Sequence, residues 1–129
     1  MASITGFPSD SWGPGLEPIY SRLEDYSGWL VNNLAHLCRF EDLIGAKGGG
    51  DLNAQRLAIK KMAEYVERPV SEDEVGRLSN CIWTPKSNTF RKGVIGDWVN
   101  HFTDEHKEAF KKIAGQHLIS MGYEKSFDW

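Results

Sequence analysis

Two adjacent cations, Arg91 and Lys92, run directly into Gly93 within the stretch NTFRKGVIGDWVNHFT at residues 88–103. A guanidinium is a planar fork that matches phosphate oxygens, and an ammonium adds a point charge beside it. A glycine lets an anion approach the backbone closely, and the amides at the start of a following helix add donors. The stretch therefore predicts a phosphate site, with a solvated basic patch on a loop as the alternative.

Other stretches with chemically useful residues match known sites less well. The sequence TPKSNT at residues 84–89 has the lysine and hydroxyls of a phosphate loop, but Asn88 stands where a glycine is needed and no helix follows. In GAKGGGD, residues 45–51, the lysine precedes the glycines, so we predict a surface linker. His101 and His106 lack the HExxH spacing of zinc sites. We predict no metal site and nominate no catalytic residue, because catalytic sets are assembled in space.

Charge and composition limit the classes of protein. A chain of 129 residues predicts one domain. Its formal net charge of −3 argues against a general nucleic-acid binder, so any anion site must be local. No apolar run approaches the ~18 residues of a membrane span, and no signal peptide is recognisable. Cys38 and Cys81 are predicted to be buried free thiols rather than a disulfide, and the predicted location is the cytoplasm.

Four helices are predicted to position these residues, after an irregular Gly-, Pro- and Ser-rich arm at residues 1–17. Apolar residues recur at helical spacing in each of them. The predicted starts are Pro18, Asp51, Ser71 and Thr103, and the predicted final stop is Gly122. The predicted inward residues are Leu52, Ile59, Met62, Ala63 and Val66 in the second helix, and Ala109, Phe110, Ile113, Leu118 and Met121 in the last.

One strand is predicted, at LAHLCRF, residues 34–40. A strand without a neighbour leaves its backbone groups unsatisfied. Either this segment pairs with something outside the predicted elements, or the chain is part of a larger fold.

Taken together, these stretches resemble the sulfotransferase family, which transfers a sulfuryl group from 3′-phosphoadenosine 5′-phosphosulfate (PAPS). FRKGVIGDWVNHFT is similar to the family's Arg-Lys-Gly, two variable residues, Gly-Asp-Trp and aromatic-Thr helix start. CRFEDLIG with GGGD resembles its strand ending in aromatic-Glu-Asp-Leu, and residues 54–75 look like the helix-turn-helix that follows. The resemblance runs from about residue 16 to the end of the chain.

The resemblance implies an α/β, P-loop-like sulfotransferase fold around a parallel sheet. Residues 18–129 would be the C-terminal half of that domain, mainly α-helical, with about four helices and one or two strands. The family's 5′-phosphosulfate loop and its usual catalytic base belong to the N-terminal half, which has no counterpart in this sequence.

The resemblance also implies roles for individual residues. Arg91, Lys92 and Gly93 would bind the 3′-phosphate of PAPS or of its product 3′-phosphoadenosine 5′-phosphate (PAP), with Thr89 and Phe90 beside them. Phe40 would flank the nucleotide, and Trp83 would wall the adenine, with core packing as the alternative for Trp83. The residues that follow the cations would fix the turn and the helix entry; they are Gly96, Asp97 and Trp98.

Three functional hypotheses follow from the resemblance. The first is a sulfotransferase-like protein that supplies the 3′-phosphate-binding half, is inactive alone, and needs a partner chain with the other half. The second is a module that only binds the nucleotide. The third is a structural helical protein that forms a homo-oligomer through its apolar face. None of them predicts nucleic acid or a membrane as a partner.

Overall fold

The computed structural model describes residues 6, 15, 17–85, 88 and 90–129. The predicted arm, apart from residues 6, 15 and 17, lies outside the described residues. A central unit, Asn33–Val99, and a terminal unit, made of Met1–Asn32 and Asn100–Trp129, are each compact. The α-helices of the described part are α1 (Ile19–Ser27), α2 (Phe40–Leu43), α3 (Leu52–Tyr65), α4 (Glu72–Ile82) and α5 (Asp104–Ser120), with 3₁₀ turns at Gly28–Leu30, Ala46–Gly48 and Asp97–Asn100.

Four of these helices were predicted, and side-chain caps explain the starts of three of them, α3, α4 and α5. The Asp51 carboxylate accepts the Ala54 amide at 2.8 Å at the start of α3. Ser71 and Glu74 form a reciprocal capping box at the start of α4, and the Thr103 hydroxyl accepts an amide in the first turn of α5. Each cap satisfies donors that a helix start leaves unpaired, so the starting residue is set by the local sequence.

The predicted strand at residues 34–40 is wrong. The described part of the chain contains no strand, and α2 already begins at Phe40. A strand needs a neighbour for its backbone groups, and no described segment pairs with this one. Arg39 keeps an extended backbone, and the Tyr65 hydroxyl donates to the Leu34 carbonyl. The acids Glu41 and Asp42 in the first turn of α2 favour a helix start there.

The core of the central unit differs from the predicted stripe on α3. Leu52 and Val66 are exposed, whereas Gln55 is only 3% exposed. The Gln55 side-chain amide donates to the Leu43 carbonyl at 2.9 Å, which offsets the cost of burying it and ties α3 to the end of α2. Around it lie the buried apolar side chains of the unit, which are Ile44, Ala58, Ile59 and Val75.

Glu72 joins the first turn of α4 to α3. Its carboxylate accepts hydrogen bonds from Lys60 and, at 2.6 Å, from Arg56. These donated hydrogen bonds, that from Lys60 first, hold the pKa of the Glu72 carboxyl below its ordinary value. Because all three side chains are substantially exposed, the pairs orient the helices more than they stabilise them.

In the terminal unit, α1 packs against α5. The rings of Tyr20 and His117 meet edge to face at 5.2 Å. The buried residues of α5 are Ala114 and Gly115, whereas the five predicted inward residues are half-buried. A Cβ on Gly115 would lie 2.6 Å from the Phe127 ring, so the glycine allows the C-terminal segment to pack on the helix.

The cysteines are free thiols, as predicted. Cys38 is half-buried, and burial, with a smaller effect of Asp42, raises the pKa of its thiol. The prediction that both thiols are buried is wrong for Cys81, which is exposed.

The end of α3 carries a strained residue. Glu67 has a φ of 56°, and its amide and that of Arg68 bond to carbonyls of the last turn, as in a Schellman cap. A residue with a Cβ costs about 1–2 kcal/mol in this conformation, and glycine removes that cost. The greater freedom of glycine in the unfolded chain offsets part of this gain. We therefore expect Glu67→Gly to raise the free energy of unfolding by about 0.5–1 kcal/mol.

Urea unfolding followed by circular dichroism measures this change. The matched control is Glu64→Gly, inside α3, where glycine should destabilise by about 1 kcal/mol. Equal effects of the two substitutions would show that the left-handed backbone at Glu67 carries no strain.

Candidate anion-binding site

Residues 90–97, which we name the site loop, border an open cleft of ≈ 430 Å³ within the central unit. Phe40 and Ile44 of the α2 region and Ile82 at the end of α4 supply one apolar part of its lining. The site loop contributes residues 90–94 and Asp97. The lining therefore combines apolar side chains from the helices and the loop with the charged Arg91, Lys92 and Asp97, a composition common in small-molecule sites.

The two predicted cations converge on one carboxylate. Arg91 Nη2 lies 3.0 Å from Asp97 Oδ2, and Lys92 Nζ lies 2.9 Å from Asp97 Oδ1. The Asp97 side chain is only 13% exposed, whereas those of Arg91 and Lys92 are 74% and 48% exposed. The three groups together carry a net charge of +1, so the loop keeps an excess of positive charge at the cleft.

Gly93 gives the site loop a conformation that favours glycine. Its φ is 58°, and an added Cβ would lie 2.9 Å from the Phe90 ring. Trp83 Nε1 donates to the Gly93 carbonyl at 3.2 Å, and the Trp83 and Phe90 rings meet edge to face at 5.0 Å. Trp83 and Phe90 thus hold the turn that carries the cations.

The glycine turn, residues 45–50, packs against the site loop. The Ile95 amide donates to the Gly48 carbonyl at 2.9 Å. Gly48 is buried, and an added Cβ would lie 2.6 Å from the Gly93 carbonyl oxygen. The prediction of a surface linker is confirmed for Ala46, Lys47 and Gly49, which are exposed. It is wrong for Gly45 and Gly48, which are buried; at Gly48 the missing side chain allows two backbone segments to pack directly together.

The sequence profile of the family described as "Sulfotransferase domain" matches residues 51–122, which is more than half of the chain. The chain belongs to the sulfotransferase family. The match includes α3, α4 and the site loop, and family membership implies the P-loop-like sulfotransferase fold. The described part supplies helices to that fold, and the predicted one or two strands are wrong for it.

Curated sulfotransferases match over part of their length. A 3-alpha-hydroxysteroid sulfotransferase of Cavia porcellus is 28% identical over 84% of this chain and 43% of its own length. A "Flavonol sulfotransferase-like" protein of Flaveria bidentis is 31% identical over 56% of this chain and 31% of its own. Cytosolic sulfotransferase 11 of Arabidopsis thaliana is 28% identical over 52% of this chain and 26% of its own. The chain thus spans less than half the length of these relatives, and no solved structure matches it significantly.

Seven residues were predicted to bind the nucleotide, and five of them line one cleft: Phe40, Phe90, Arg91, Lys92 and Gly93. Trp83 is not among the lining residues, since it packs behind the loop on Phe90. Thr89 lies outside the described residues. Within the described ranges, no cluster of His, Cys, Asp or Glu could hold a metal ion, and no helix is long and apolar enough to cross a membrane.

The structure adds roles that the sequence does not predict for two residues of the site. Asp97, predicted to fix the turn, begins the 3₁₀ turn and is also the shared ion-pair partner of both cations. A signal was present, because an acid five and six residues after two cations closes the same loop. Gly48 was assigned to a linker, and no sequence signal shows that its partner is Ile95, 47 residues away.

Proposed function

We propose that this chain binds 3′-phosphoadenosine nucleotides and forms the 3′-phosphate-binding part of a PAPS-dependent sulfotransferase. The observation that supports this most directly is the convergence of Arg91 and Lys92 on Asp97 in the lining of the cleft. A solvated basic patch, the alternative, has no need of a carboxylate that gathers two cations beside a cavity. A nucleotide needs both parts, since its phosphate is anionic and its base is flat and apolar on its faces.

Each residue has a distinct task in this proposal. Arg91 presents a fork to two phosphate oxygens, and Lys92 adds a point charge. Gly93 lets the phosphate approach the backbone. The rings of Phe40 and Phe90 pack on the nucleoside in the cleft; Phe40 has no hydroxyl, so its contribution is packing alone.

The bound PAPS would supply the activated sulfuryl group for transfer to a hydroxyl or amine. The residues of this chain bind and orient that donor, and orientation is itself a large part of the rate in group transfer. We assign no proton transfer to any described residue. The chain alone is therefore proposed to be inactive.

The same proposal requires a partner. Leu34 and Leu37 are 78% and 59% exposed. Large apolar side chains grouped in this way mark an interaction surface. We propose that a polypeptide with the N-terminal part of a sulfotransferase domain covers them, and that the complex is cytosolic, like the Arabidopsis relative by its name.

A purely structural oligomer is the second candidate function, and the same exposed segment favours it, because a second copy of the chain could cover these side chains. It differs from the first in that the cleft would bind no nucleotide.

Calorimetric titration of PAP into the chain tests the proposal. We expect saturable binding, and binding at least tenfold weaker for adenosine 5′-phosphate, which lacks the phosphate that Arg91 and Lys92 would contact. Absence of binding at millimolar PAP would overturn the proposal and favour the structural oligomer. Equal affinity for the two nucleotides would contradict a 3′-phosphate site.

A further inference from the structure

We infer that Asp97 is a positioning residue, which holds Arg91 and Lys92 in the arrangement that recognises the 3′-phosphate. This inference rests on the proposed function and deepens it, because it says how two exposed cations become selective. The Asp97 carboxylate would touch neither the phosphate nor any reacting atom, and it would act entirely through the two cations.

The geometry of the ion pairs supports this role. Each carboxylate oxygen of Asp97 accepts a hydrogen bond from one cation: Oδ2 from Arg91, and Oδ1 from Lys92. The two head groups are therefore set side by side at the cleft. The bond to Asp97 uses one of the five N–H groups of the guanidinium, so the fork of Arg91 retains donors for a ligand.

Stability alone does not account for the arrangement. Exposed ion pairs contribute little to folding, and Arg91 is 74% exposed. A largely buried carboxylate does need a positive partner, but Lys92 alone would supply one charge. The second cation on the same carboxylate is what a binding site requires, because two oriented cations match a doubly charged phosphate.

Two opposing effects determine what removal of the Asp97 charge would do to binding. The negative charge repels the doubly charged phosphate, and at about 6 Å in water-like surroundings that repulsion weakens affinity by roughly tenfold. Without Asp97, however, two long side chains must be ordered when the phosphate binds, which weakens affinity by roughly thirtyfold. Ordering is the larger effect, so Asp97→Asn should bind PAP more weakly although it removes a repulsive charge.

The first test compares nucleotide affinities of the wild type, Asp97→Asn and Asp97→Glu by calorimetry. We expect PAP to bind about threefold more weakly to Asp97→Asn, from the ratio of the two effects above, with unchanged adenosine 5′-phosphate affinity and partial recovery in Asp97→Glu. A merely structural role would weaken both nucleotides in proportion. Unchanged or tighter PAP binding by a folded Asp97→Asn would overturn the inference and leave the proposed function intact.

The second test needs no nucleotide. Nitrogen-15 relaxation of the Arg91 Nε–Hε group reports its order, and we expect the order parameter to fall below about 0.6 in Asp97→Asn. Equal Arg91 order in the two proteins would overturn the inference even if the wild type bound no PAP. If Asp97→Asn does not fold, Asp97→Glu decides, because displaced acceptor oxygens should loosen Arg91 while the charge is kept.

Discussion

Replacing both cations, Arg91→Ala with Lys92→Ala, is expected to weaken PAP binding by about 100-fold, or roughly 3 kcal/mol, from two charge-assisted contacts of about 1.5 kcal/mol each. Arg91 contributes directional hydrogen bonds and Lys92 contributes charge. The helices should persist, because both side chains are substantially exposed, but the free energy of unfolding should fall, because the largely buried Asp97 carboxylate loses both cations. Calorimetry with PAP and far-ultraviolet circular dichroism check the two halves of this expectation.

A matched control separates a specific site from general charge. Arg77→Ala with Lys61→Ala removes the same two residue types at exposed positions of the central unit that do not line the cleft. This control should retain PAP affinity within about twofold, because neither side chain lines the cleft and exposed charges are screened at physiological salt. If both double variants lose affinity equally, the phosphate is held by overall charge and the site is wrongly placed.

Gly48→Ala is expected to disrupt the site without touching a cation. The added methyl group would lie 2.6 Å from the Gly93 carbonyl oxygen, and it would also meet Ile44 in the core. Overpacking of this kind typically costs about 1–3 kcal/mol. Because the Ile95 amide is bonded to Gly48, the site loop should move with the turn, and PAP affinity should fall together with stability.

Gly76→Ala is the control for this substitution. Gly76 lies inside α4, and the nearest atom to an added Cβ is 4.0 Å away, on Arg56. Alanine is the better helix former, so this variant should gain about 0.5–1 kcal/mol and retain PAP affinity. Thermal unfolding measures the stability of the two variants, and calorimetry measures their PAP affinity. A Gly48→Ala protein with normal stability and affinity would contradict the packing of Gly48 against the site loop.

What could be predicted from the sequence was mostly local. Asp51, Ser71 and Thr103 each cap a helix through a group within three residues, so the information lies beside the cap. Gly122 ends α5 with a φ of 75°, for the same reason. Residues 34–40 could form a strand only beside a second strand, which no local pattern supplies and which the described part of the chain does not contain.

The buried face of α3 shows a second limit of sequence reasoning. Hydrophobicity favoured Leu52 and Val66 as inward residues, yet Gln55 occupies the interior. A buried amide is favourable only when a carbonyl such as that of Leu43 is placed to accept it. That acceptor becomes available only after α2 and α3 have packed, so helical periodicity could not identify it. The cation pair was predictable because its chemistry lies in adjacent residues, whereas its supports, Asp97 and Gly48, act through the folded loop.

The bond between Ile95 and Gly48 has a thermodynamic consequence for the central unit. It closes a loop of the chain that contains both α3 and α4, so the cleft exists only when that whole loop is folded. Ligand affinity and folding of the unit are then linked. A nucleotide at 100 times its dissociation constant would stabilise the unit by about 2.7 kcal/mol. By the same linkage, any substitution that partly unfolds the unit lowers apparent affinity in proportion to the folded fraction, even when it lies far from Arg91.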